Sequence, residues 1–66
     1  MTNPIHAPPS IVALATQRAN RLGEPHFVTY DAELDVYHAV SVRAYYGCKM
    51  NGQARYRILA SANPNR

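Results

Sequence analysis

One cysteine is all that this 66-residue chain carries, so Cys48 has no partner for an internal disulfide. That excludes a disulfide-stapled secreted miniprotein and points to a reducing, cytoplasmic setting. Long apolar runs are missing as well, and nothing approaches the roughly 18 residues that a membrane helix needs. The opening MTNPIHAPPS has no basic stretch and contains adjacent prolines, which is unlike a secretory leader. Charge is scarce, at 17% against 47% apolar residues, and that balance favours a packed core over a disordered chain. The core must be small, because a domain near this length buries only about 60% of its unfolded surface.

The charges that are present are sorted by sign. Residues 1–23 hold Arg18 and Arg21, and residues 24–35 hold Glu24, Asp31, Glu33 and Asp35. Residues 36–66 hold Arg43, Lys49, Arg55, Arg57 and Arg66 with no acid, which leaves the chain at +3. The pattern describes one acidic knuckle and one basic flank, and such a flank attracts nucleic acid, acidic protein or headgroups. Six of the seven basic residues are arginine and ten residues are alanine, a bias suggesting a GC-rich bacterial or phage genome.

Residues 1–9, with Pro4, Pro8 and Pro9, read as a flexible arm. Ser10 is the expected N-cap of a helix in which Ile11, Leu14, Ala15, Ala19 and Leu22 fall at helical spacing. Gly23 suits the left-handed cap and Pro25 prevents continuation. Two strand-like runs follow, His26–Tyr30 and Val36–Val42, joined by the charged turn 31–35. A five-residue loop sets Tyr30 opposite Val36 and Val28 opposite His38, with Val28, Tyr30, Val36 and Val40 on the core face. A four-residue loop would exchange the faces of one strand.

Asn51-Gly52 introduces a third strand, Ala54–Ser61, and predicts a tight hairpin pairing Tyr46 with Arg57. That pairing puts Val42 on the wrong face unless a bulge at Gly47 intervenes, and the bulged strand is the preferred reading. The alternative is a helical turn over Ser41–Cys48. The expected fold class is α+β: one N-terminal helix packed on a three-stranded antiparallel meander, αβββ. A single domain spans 10–62, and residues 63–66 are expected to fray.

Candidate chemistry is thin. His26 and His38 share a face in this register, yet the spacing of tetrahedral metal sites is absent, so neither metal nor cofactor is expected. Asp31, Glu33 and Asp35 read as a solvated turn rather than an acid–base pair, and 66 residues leave little room to enclose a substrate. The expectation is a non-enzymatic protein. Arg43, Tyr45, Tyr46, Arg55 and Arg57 form the candidate partner-binding set, since Tyr and Arg dominate binding hot spots. The same residues support an alternative, a Tyr/Arg-rich hairpin that stacks bases and neutralises phosphate. An open sheet edge on so short a chain also makes a homodimer reasonable.

The helix end Ala19-x-x-Leu22-Gly23-x-Pro25, followed by a short hairpin tipped by Asp31 to Asp35, resembles small accessory proteins of bacteriophages and prophages. That group includes inhibitors of CRISPR–Cas complexes and other host-takeover proteins. The resemblance spans residues 10–60 and rests on size, composition and compact build rather than on a motif. It implies a cytoplasmic inhibitor that docks on a bacterial host protein or complex.

Overall fold

The computed structural model describes residues 6–65, so the calls on residues 1–5 and on Arg66 lie outside the described residues. The first helix, α1, spans Pro9–Leu22. Pro9 opens it at a position whose N–H has no helical partner in any case. Pro8, not Ser10, is the N-cap, and its carbonyl accepts from the amides of Ile11 and Val12. Gly23 closes the helix at φ 67°, as expected. The strands are β1 (His26–Asp31), β2 (Val36–Ser41) and β3 (Tyr56–Ala62), and a second helix, α2, covers Val42–Gly47. An α+β fold with a helix on a three-stranded antiparallel sheet is therefore what forms.

The strand order corrects the meander. It is β2-β1-β3, with β1 in the middle and both neighbours antiparallel to it. The cause lies at Ser41, whose Oγ accepts the Ala44 amide at 3.0 Å and caps α2. The chain turns into that helix instead of continuing as a bulged strand. β3 then docks on the free edge of β1, and the Asn51-Gly52 turn lies within the α2–β3 connection rather than in a hairpin. The pairing of Tyr46 with Arg57 accordingly does not form. A bulge does exist, but in β3: Val28 faces Ala60 and Thr29 faces Ile58, which leaves Leu59 as the extra residue.

The first hairpin corrects the register as well. Tyr30 faces Tyr37 and Val28 faces Ala39, so the loop is the four residues between Asp31 and Val36. Val36 and Val40 thereby move to the face opposite α1, away from Val28. His26 and His38 part company: His26 is buried on the α1 side, with Nδ1–H donating to the Glu24 carbonyl at 3.0 Å, while His38 is exposed on the other.

The core is built from small side chains. Ala15 and Ala19, one turn apart on α1, meet Val28, Ala39 and Ala62, with Ile11, Val12, Leu14 and Ala60 at the margin. Alanines let the helix lie close to the sheet, but each contributes little burial. Ala7 also packs against this cluster, and the Asn65 amide donates to Asn20 Oδ1 at 2.6 Å. Residues outside 10–62 on both sides thus make contacts with the helix and its core.

Candidate functional site

Because β2 and β3 flank β1 on opposite sides, the segment joining them must cross the sheet. It crosses on the face away from α1. Both ends of the crossing are fixed there by β1 residues that point outward: Phe27 meets Tyr45 of α2 edge-on at 5.2 Å, and Asp31 meets Arg55. The crossing explains why Thr29, between them on β1, is fully buried.

Asp31 anchors the far end. Its Oδ1 accepts the amides of Glu33 (3.0 Å) and Leu34 (3.2 Å), which folds the β1–β2 loop. The Arg55 guanidinium donates to both carboxylate oxygens, through Nε at 3.2 Å and Nη2 at 2.7 Å. This fork holds the Asp31 carboxyl below the usual carboxylate range, with the loop amides adding to the effect against the cost of desolvation. Arg55 also lies 3.4 Å from Glu33 and stacks over the Tyr56 ring at 5.0 Å. Asp35 accepts from the Tyr30 hydroxyl at 2.5 Å, which raises the phenol's pKa.

The five candidate contact residues therefore have different situations. Arg43, Tyr45 and Tyr46 come together on α2. Tyr45 is buried, Tyr46 is 54% exposed, and their rings form an edge-to-face cluster with Phe27. Arg43 is exposed, at 3.6 Å from Glu24. Arg55 lies at the opposite end of the crossing and is committed to Asp31. Arg57 is exposed but faces the α1 side, across from Tyr30.

Two residues outside that set complete the surface. Ile58 on β3 is 45% exposed and Val36 on β2 is 37% exposed, both on the face opposite α1. Their orientation follows from the register of β2 and the placement of β3 beside β1. Of the two, only the four-residue loop could have been read from the sequence.

Among the described residues, no three His, Cys, Asp or Glu side chains gather to hold a metal ion, and no helix is long and apolar enough to cross a membrane. Cys48 is exposed and free. The acids of the described chain are engaged internally: Glu24 near Arg43, Asp31 and Glu33 with Arg55, and Asp35 with Tyr30. No family model, no curated protein and no solved structure matches the chain.

Proposed function

We propose that this is a non-enzymatic protein-binding module that docks on another protein through the side opposite α1, where α2 and the crossing segment cover β1 and the flanking strands β2 and β3 remain exposed. The observation that carries the reading is that three of the five exposed large apolar residues among those described, Tyr46, Ile58 and Val36, lie on that side, the others being Leu22 at the end of α1 and Leu34 in the β1–β2 loop. Several exposed apolar side chains on one side of so small a domain mark a contact surface more than a solvated one. The Phe27–Tyr45–Tyr46 cluster holds the Tyr46 ring in place before binding, which lowers the ordering cost of a hot spot.

The nucleic-acid alternative is weaker. A single-strand binder stacks successive bases on open aromatic faces. Here Tyr45 is buried, Tyr56 has Arg55 over its ring, and Tyr30 and Tyr37 are packed against each other at 5.3 Å. Tyr46 is left as the one broadly exposed ring of the five. An exposed free thiol fits a reducing compartment, so the reading sets the protein in the cytoplasm. The resemblance to phage accessory proteins makes a bacterial host protein the intended target.

The test is affinity capture from a bacterial lysate split into nuclease-treated and untreated halves at moderate salt. A protein band that persists after nuclease is the expected result. Recovery that vanishes with nuclease, or that falls steeply with salt, would replace this reading with the nucleic-acid one.

A further inference from the structure

Three residues at successive three-residue steps stand at the Phe27 end of the docking face: Arg43 and Tyr46 on α2, and Lys49 just beyond it. The Lys49 amide donates to the Tyr46 carbonyl at 3.1 Å, so the backbone turns once more beyond Gly47 before leaving the helix at Lys49. The Arg43 side chain is 88% exposed and its contact with Glu24 is a loose surface one. Lys49 is exposed with no carboxylate partner among the described residues. Of the described carboxylates, Glu24 makes that loose contact with Arg43 and the other three are engaged elsewhere, so Lys49 is the member of the pair to which the chain supplies no countercharge.

Lys49 is also held at φ 56°, in the left-handed region that glycine occupies without penalty. Among the described residues its side chain makes no hydrogen bond or ion pair; only its backbone is used, the amide donating to Tyr46 and the carbonyl accepting from Gln53 Nε2 at 2.6 Å. A glycine would serve the backbone better, so the fold does not ask for the ammonium group.

We propose that the partner presents an acidic peptide segment to α2, its carboxylates received by Arg43 and Lys49 on either side of the fixed Tyr46 ring. The inference rests on the docking reading above and names the chemistry of what docks. Charge complementarity carries it, since an exposed arginine with only a loose surface contact and an exposed lysine with no carboxylate partner among the described residues, set near a fixed aromatic ring, steer and orient an anionic segment. A single presented ring suits a side-chain contact flanked by carboxylates, rather than a run of stacked bases.

The experiment titrates the 15N-labelled protein with three probes: an Asp/Glu-rich octapeptide containing one leucine, its lysine-substituted counterpart, and an eight-residue thymidine oligonucleotide. The expected result is amide shifts confined to residues 43–49 with the acidic peptide alone. Binding should weaken about tenfold in the Arg43→Glu/Lys49→Glu variant, as for loss of a close charge pair. Lys49→Gly provides the control for folding. It should melt at a higher temperature and still bind the acidic peptide more weakly, a combination that a purely structural lysine does not give. No shift with the acidic peptide, equal shifts with the lysine peptide, or tighter binding of the oligonucleotide overturns the proposal. Should partner capture depend on Val36 and Ile58 while the acidic peptide leaves α2 untouched, the docking face stands and this inference falls.

Discussion

Replacing Thr29 with valine should make the protein more stable, although the residue sits at the centre of the sheet. Thr29 is fully buried and its Oγ1 has no hydrogen-bond partner among the described residues. A buried polar group left unpaired costs about 1–3 kcal/mol, because it gives up water without replacement. Valine keeps the branched shape that suits a strand and puts a methyl where the hydroxyl was. Taking the lower end of that range, the gain is about 1 kcal/mol, or about 4–8 °C in Tm for a domain of this size. Thr29→Ser is the matched opposite. It keeps the hydroxyl and removes the methyl, and should cost about 1 kcal/mol through lost burial and the gap left behind. Thermal melts and urea titrations of the three proteins decide the matter. A valine variant less stable than the parent would mean that the hydroxyl is satisfied in solution, and that the crossing segment does not seal this face.

Asp31 sets the acid limit. Its carboxyl is depressed in the folded protein, first by the Arg55 hydrogen bond, so its contribution is present above the unfolded value of about 3.9 and is lost as pH falls through the lower folded value. Urea titrations from pH 7 to pH 2 should show stability declining over the acid end, and Asp31→Asn should flatten that decline; an unchanged slope would refute the assignment. Gly23→Ala should destabilise by about 1 kcal/mol, because the αL cap at φ 67° suits glycine and strains alanine, and a melt within error of the parent would contradict it.

Much of the fold was legible because local chemistry and global structure agree there. Gly23 and Pro25 stop α1 where the left-handed cap requires it, and the alternating Val and aromatic residues of 26–30 and 36–41 become the paired strands. Two places were not legible, and each turns on a single group. The Asp31 side chain folds the loop by accepting two amides, which ends β1 one residue later than its composition suggests and inverts the faces of β2. Ser41 capping α2 competed with the strong strand preference of Val42, Tyr45 and Tyr46, and the cap prevailed because Tyr45 could bury against Phe27. That burial is a tertiary contact, invisible in the spacing of the residues themselves.

The grouping of the candidate residues was not legible. Tyr46 and Arg43 are exposed together on α2. Arg55 is held inward because the long-range partner that claims it, Asp31, lies 24 positions earlier and becomes its neighbour only when β3 joins β1. Ile58 and Val36 gained their exposure from the same strand order.

The most direct test of the docking face is partner capture from nuclease-treated lysate with three proteins: the parent, a Val36→Glu/Ile58→Glu variant, and Arg57→Glu. Each variant is first checked by circular dichroism. The account predicts that the double variant loses the captured protein while Arg57→Glu, altered on the α1 side, retains it. Capture that survives in the double variant, or fails in Arg57→Glu alone, would contradict it.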